Sequence, residues 1–333
     1  MTDWLIYTGN RPPHDGIDRL PPPPPWRTFD GSPLVPSAPS EPTATHQAQS
    51  YRPAPEAIEQ VNAALYLRRP LLVTGRPGTG KSSLAYSVAH ELRLGPVLHW
   101  PITSRTTLRD GLYQYDPLTR LYQVGSHDGS TMESEEDIGR YIRLGPLGTA
   151  LLPSARPRVL LIDEIDKSDI DLPNDLLTIF EKGEYEIPEL ARLARPEVNV
   201  MTADSVERAT VTSGLVRCNA FPLVIMTSNG EREFPPAFLR RCMVARLPQP
   251  DRDTLTEIVR AHLGELADQS EDLIERFLAR KNAGELATDQ LLNAVHLIHH
   301  AAATAEDRVM LADKIMPYLG RSEDGMAEPS DVD

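Results

Sequence analysis

Nine consecutive residues carry the first candidate chemistry: Gly75, Arg76, Pro77, Gly78, Thr79, Gly80, Lys81, Ser82 and Ser83. The first eight fit the pattern G-x-x-x-x-G-K-[ST]. Glycines let backbone N–H groups turn inward around phosphate oxygens. A helix that starts at such a loop aims its positive end at the same place. Lys81 then reaches the β- and γ-phosphates of ATP, and the Ser82 hydroxyl serves Mg2+. The second candidate is Val159-Leu160-Leu161-Ile162-Asp163-Glu164. Four apolar residues make a buried strand, and two acids emerge at its carboxyl end, where ligands of parallel sheets sit. Asp163 would hold Mg2+ through water, and Glu164 would polarise an attacking water. A third candidate is Asn229, which closes the run Met226-Thr227-Ser228-Asn229. Its amide could hydrogen-bond that water or the γ-phosphate, although Asn229-Gly230 is also a plain turn signal.

These residues need a scaffold, and the hydrophobic pattern supplies one. Leu71–Thr74, Val97–Ile102, Arg158–Ile162 and Leu223–Thr227 read as strands that are apolar almost throughout. Between them lie helical segments, Ser82–Leu92 and Asp175–Phe180. Apolar strands alternating with helices predict a parallel sheet covered on both faces. The phosphate loop therefore falls between a strand and a helix, the context its motif requires. From Asp251 to about Tyr318 only helical patterns follow, with Leu255/Ile258/Val259/Leu263, Leu273/Ile274/Phe277/Leu278 and Leu291/Leu292/Val295/Leu297/Ile298.

The composition narrows the partners. The 333 residues include 48 acidic and 34 basic side chains, a net charge of −14. A chain that coats nucleic acid or an anionic membrane needs a basic surplus, so nucleic acid is not the expected partner. Cys218 and Cys242 are too few for a disulfide scaffold and lack zinc spacing. No apolar run reaches membrane-spanning length, and the opening MTDWLIYTGN lacks the build of a secretory signal, so the expected location is the cytoplasm. Thirteen of the 31 prolines precede residue 56. Residues 8–50 lack an apolar period and are expected to be extended or disordered. Within them, Pro21–Pro25 followed by Trp26 is either a spacer or a docking peptide for a proline-reading partner. The apolar run Trp4–Tyr7 is expected to add a short strand or clip onto a surface.

GRPGTGKS, VLLIDEID, TSN and FLRRC, in this order, resemble the motifs of an AAA+ ATPase. Gly145-Pro146-Leu147-Gly148, Leu177–Gly183 and Pro235–Arg241 make the chain similar to the MoxR-type branch. The resemblance spans roughly residues 51–318 and implies an α/β fold, an αβα P-loop sandwich with a parallel sheet followed by a small all-helical lid. It implies that Lys81 and Ser82 serve the nucleotide, Asp163 the metal, Glu164 the water, and Asn229 a first sensor. It makes Arg241, or the adjacent Arg240, a finger inserted into a neighbouring subunit's site. It further implies a homo-oligomeric ring, usually a hexamer, that remodels a protein substrate, often one carrying a von Willebrand factor A domain. One departure stands out. Asp289 occupies the place of a second-sensor arginine, which leaves Arg280 or Lys281 as substitutes, or a weakened coupling of the lid. Thr288 or Asp289 would also make a plain helix N-cap.

The expected organisation is an arm over 1–50, a nucleotide-binding domain over 51–248, a lid over 249–318 and an acidic tail over 319–333. A hairpin insert is expected near 105–137, built from Leu112–Tyr115 and Arg120–Val124 around Pro117. The main functional expectation is an ATP-hydrolysing ring motor or chaperone. The alternative is a nucleotide-gated assembly or signalling module with little turnover. A helicase-like motor is disfavoured by the charge.

Overall fold

The computed structural model describes residues 4–9, 11–35, 45–126, 135–204, 208–281, 286–301 and 304–316. The expected acidic tail and part of the expected insert lie outside them. The chain divides into two units, one of residues 1–76 and 80–248, the other of residues 77–79 and 249–333.

In the first unit, α1 (Thr45–Ser50) and α2 (Pro55–Leu67) precede β1 (Leu71–Thr74) and α3 (Lys81–Glu91). There follow β2 (Leu98–Pro101), α4 (Leu108–Leu112), β3 (Tyr113–Tyr115), α5 (Pro117–Ser126), β4 (Ile142–Leu144) and α6 (Pro146–Ala150). Next come β5 (Val159–Asp163), α7 (Leu172–Lys182), β6 (Glu184–Glu186) and α8 (Pro188–Ala191). The unit closes with β7 (Glu197–Met201), β8 (Arg208–Thr212), β9 (Leu215–Arg217), β10 (Leu223–Ser228), α9 (Pro236–Leu239) and β11 (Met243–Arg246). The main sheet has the order β11-β1-β10-β5-β2, and every pairing in it is parallel. The four expected strands are its inner members and one edge; β11 is an addition. Burial explains their composition. β10 is buried at every residue and β5 at all but Asp163, because helices cover both faces. On one side Leu65, Val61, Leu84 and Val88 pack on Leu71, Val73, Leu161 and Ile225; on the other, Leu147, Leu176 and Phe180 pack against Leu160, Ile162 and Met226.

The expected hairpin near 105–137 does not form. β3 pairs antiparallel with β4. The second run, Arg120–Val124, is helical within α5. Asp116 explains this: its carboxylate accepts from Thr119 N at 3.0 Å and from Thr119 Oγ1 at 2.6 Å, and Pro117 fills the first helical position. A second, mixed sheet, β3-β4-β7-β8-β9-β6, lies outside the sequence expectation.

Trp4–Tyr7 attaches to the protein as the expected clip, whereas residues 8–9 and 11–35, expected to be extended or disordered, hold contacts with the first unit at several points. Ile6, Tyr7 and Ile17 join the core around β1. Asn62 of α2, fully buried, accepts from Ile6 N at 2.7 Å and Tyr7 N at 3.0 Å and donates to Tyr7 O at 2.8 Å. Buried Glu91 of α3 accepts from Thr8 N and Gly9 N, each at 2.7 Å. Further on, Phe29 stacks on Phe221 with ring centres 5.1 Å apart, and Val35 N donates to Pro153 O at 2.7 Å. Prolines carry no N–H, so a proline-rich segment can lie on a surface without a ladder of partners. A few well-placed apolar side chains then suffice to hold it.

The second unit contains α10 (Arg252–Leu263), α11 (Glu271–Lys281), α12 (Thr288–Ala301) and α13 (Ala305–Ile315). Their apolar faces meet in one core that includes Leu255, Val259, Phe277, Leu291 and Val295. Asp251 caps α10 by accepting from Thr254 N at 2.9 Å. Neither Thr288 nor Asp289 is the N-cap of α12, because both are already helical. Ala287 precedes the helix, and its N–H donates to Gln290 Oε1 at 3.0 Å, the returning half of a capping box. Among the described residues no helix is long and apolar enough to cross a membrane.

Candidate active site

The site grows from the carboxyl end of β5. Asp163 is the last residue of that strand, and the register of β10 on β5 pairs Met226 with Ile162, which sets Thr227 beside Asp163. Thr227 Oγ1 donates to Asp163 Oδ1 at 2.6 Å and accepts from Glu164 N at 2.8 Å. Ser82 Oγ, from the first turn of α3, donates to the same Oδ1 at 2.7 Å. His99 Nε2, from β2, lies 3.4 Å from Oδ2. Partial burial would raise the Asp163 carboxyl, but the bonds from His99, Thr227 and Ser82 outweigh it and bring its pKa down from 3.8 to about 2. The carboxylate is therefore charged throughout the neutral range.

Glu164 leaves the strand at φ 60°, ψ 48°, a left-handed conformation that a glutamate adopts only when its surroundings impose it. The carboxylates of the two acids have separate partners. Its Oε1 accepts from Asn229 Nδ2 at 3.4 Å, and its Oε2 pairs with Lys167 Nζ at 2.7 Å. Asp166, buried just beyond, fixes the Asn229 loop: Oδ2 accepts from Asn229 N at 2.9 Å and Glu231 N at 3.1 Å. Its Oδ1 is buried with no hydrogen-bond partner.

Lys81 is nearly enclosed, and its Nζ donates to Gly75 O at 2.8 Å and Arg76 O at 2.9 Å. Burial pushes its pKa below the ordinary value, and Asp166, Asp163 and Glu164 pull against that shift. Gly80 leads into α3 at φ 82°, a conformation that side chains resist. Ser83 Oγ accepts from Gln47 Nε2 of α1 at 3.1 Å. Gly75, Arg76, Gly80, Lys81, Ser82 and Ser83 belong to the first unit, while Pro77, Gly78 and Thr79 group with the helical one.

The arginines expected to act between subunits are exposed. Arg241 pairs with Glu181 and donates to Ala237 O at 3.1 Å, and Arg240 donates to Pro236 O at 3.2 Å. Within the chain neither engages Lys81, Asp163 or Glu164. Of the two residues expected as alternatives to a second-sensor arginine, Arg280 is tied to Met316 O at 2.6 Å and to Asp313 inside the helical unit, and the Lys281 side chain lies outside the described residues. Thr227, His99, Lys167 and Asp166 were not among the expected site residues. Asp166 and Thr227 lay within the motifs, as the third acid of Asp163-Glu164-Ile165-Asp166 and in Thr227-Ser228-Asn229, but with no role assigned to either.

The donor set fits a magnesium nucleotide. A buried ammonium rests on loop carbonyls with an N–H to spare, and a hydroxyl and a carboxylate meet as hard oxygen ligands.

Residues 70–242, just over half of the chain, match the family described as AAA domain (dynein-related subfamily). The chain belongs to that family. Members of this AAA family generally hydrolyse ATP and typically assemble into rings. No curated protein matches the chain. A solved structure titled "Structure of C. elegans PCH-2" is similar at 15% identity and a TM-score of 0.40. The match covers 78% of this chain and 65% of that one, less than two thirds of its length.

Proposed function

We propose that this AAA protein is an ATP-hydrolysing motor of MoxR-like type that works as a ring on a protein partner. The observation that carries the reading is the meeting of Ser82, Thr227 and His99 on Asp163, with Glu164 turned aside toward Asn229. When bound, MgATP supplies the phosphoanhydride bond and the divalent charge that polarises it. Lys81 and the Gly75–Ser83 loop hold the phosphates, and Ser82 and Asp163 hold the Mg2+. Glu164 takes the proton of the attacking water at Oε1 or Oε2. Asn229 orients that carboxylate, and Asp166 orients Asn229 through its backbone. Arg241 serves the next subunit's site, where an added cation contributes roughly 10³- to 10⁵-fold in comparable phosphoryl transfers. A hexameric ring, a partner with a von Willebrand factor A domain and a cytoplasmic location complete the proposal.

The test is a pair of variants. Lys81→Ala should lose tight ATP binding, and Glu164→Gln should keep binding while phosphate release falls by about 10²-fold or more. Unchanged turnover by Glu164→Gln would overturn the assignment. One observation favours the second reading, a nucleotide-gated assembly module with little turnover. The Lys167 ion pair occupies one oxygen of Glu164 and must open before that oxygen can serve as a base. ATP-dependent assembly with negligible phosphate release from the natural sequence would select that reading.

A further inference from the structure

We infer that residues Arg19–Pro25 form a surface-displayed polyproline ligand, read arginine-first by a partner domain with an aromatic-lined groove and an acidic rim. The sequence there is Arg-Leu-Pro-Pro-Pro-Pro-Pro. Leu20 has φ −64°, ψ 125°, and Pro24 has φ −53°, ψ 146°. Between them each proline fixes its own φ and restricts the residue before it to extended values. Leu20–Pro24 is therefore a polyproline II helix, with three residues per turn and three ridges of side chains, entered from a 3-10 turn, Gly16–Arg19, and left through another, Pro25–Arg27.

The ridges differ in what they face. Leu20 and Pro23, one ridge, line a cavity of this protein together with Leu65, Phe29 and Phe221. Pro21, Pro22 and Pro25 are exposed and Pro24 is half-buried. The two outward ridges are thus Pro21/Pro24 and Pro22, which Pro25 continues as the first residue of the following 3-10 turn. A groove that reads proline-rich chains takes two ridges and leaves the third free. Here the third is the one the protein uses for its own attachment.

Both ends of the helix are fixed. Before it, Ile17 is buried in the core, and Arg68 Nη2 donates to Pro21 O at 2.6 Å. After it, the Arg27 guanidinium lies 4.8 Å above the centre of the Phe221 ring and donates to Phe180 O at 2.9 Å. The ordering that a free peptide undergoes on binding has already occurred on folding. The same contacts set the reading direction. A cation stands at each end of the prolines, Arg19 three residues before Pro22 and Arg27 two after Pro25. Arg27 is half-buried over aromatic rings, whereas Arg19 is exposed and, among the described residues, donates to Leu5 O alone, at 3.3 Å. Arg19 is the one available to an acidic rim. The exposed Trp26 ring extends the apolar surface past Pro25. The segment adjoins Pro222 and Leu223, at the amino ends of the parallel strands and opposite Asp163, so it is independent of nucleotide chemistry.

The experiment is a titration of the full-length protein with a purified SH3 domain that reads Arg-x-x-Pro-x-x-Pro ligands. A free peptide of residues 17–28 runs alongside. The intact protein should bind at least as tightly as the peptide. Arg19→Glu and Pro22→Ala, both at exposed positions, should each weaken binding by about tenfold or more with no change in thermal midpoint. Peptide binding without binding by the intact protein would overturn the proposal, because the ridges would then be inaccessible. Equal binding by Arg19→Glu would overturn the reading direction. Failure of both protein and peptide to bind would overturn the chemistry.

Discussion

Lys167 Nζ lies 2.7 Å from Glu164 Oε2, three residues along the same loop. Each side chain is about two-fifths exposed, so the pair contributes little to stability, about 0–1 kcal/mol. Its effect is on availability. The ammonium covers one of the two carboxylate oxygens and must move aside before water can approach that oxygen. Lys167→Met should leave the unfolding midpoint essentially unchanged and raise steady-state phosphate release. A fall in turnover at unchanged ATP binding would instead make Lys167 an aid to catalysis.

The Asp163 carboxyl gives a pH test with a defined sign. Its pKa in the folded protein, about 2, is below the ordinary 3.8. The stabilisation is complete above the ordinary value and is lost as pH falls from there through about 2. Thr227→Val removes one donor from Asp163 and orphans Glu164 N, costing about 1–3 kcal/mol. Circular dichroism followed from pH 5 to pH 1.5 should show the variant's acid unfolding at higher pH than that of the natural protein. Coincident acid transitions would mean that Thr227 does not hold the carboxylate.

Arg241 offers a test of action between subunits. Its present partner, Glu181, is equally exposed, and the pair can exchange at small cost. Arg241→Ala should bind ATP normally but hydrolyse it poorly. Mixing it with Glu164→Gln protein should restore part of the activity, because mixed interfaces bring an intact Glu164 against an intact Arg241. Turnover strictly linear in protein concentration, with no rescue on mixing, would argue for a site complete within one chain.

The packed arm can be tested through Asn62. Asn62→Leu leaves Ile6 N, Tyr7 N and Tyr7 O unpaired inside the protein, at about 1–3 kcal/mol for each buried group that finds no water. A lower denaturant midpoint should accompany earlier proteolytic cleavage before residue 35. Cleavage there at the same rate in both proteins would mean that the arm is not held by this residue.

The phosphate loop and the β5 acids were legible because each depends on a local run of residues in fixed order. The parallel sheet was legible for the same reason, since burial on both faces leaves continuous apolar strands. Thr227 was not, because its role depends on the register between β5 and β10, which no single segment encodes. Residues 120–124 misled because β-prone side chains outweighed Asp116-Pro117, a two-residue helix start. β7 and β8 alternate polar and apolar residues, but the signal is five residues long in each. The arm misled for a physical reason. Its apolar side chains are sparse, and sparseness signals disorder only when the few present find no core to enter.

Four successive backbone N–H groups, from Ile6 to Gly9, end on two side chains, Asn62 and Glu91, each rooted in a helix beside the main sheet. In mechanical terms this is a lap joint. The segment is thereby riveted at two points to α2 and α3, and releasing it requires both anchors to let go.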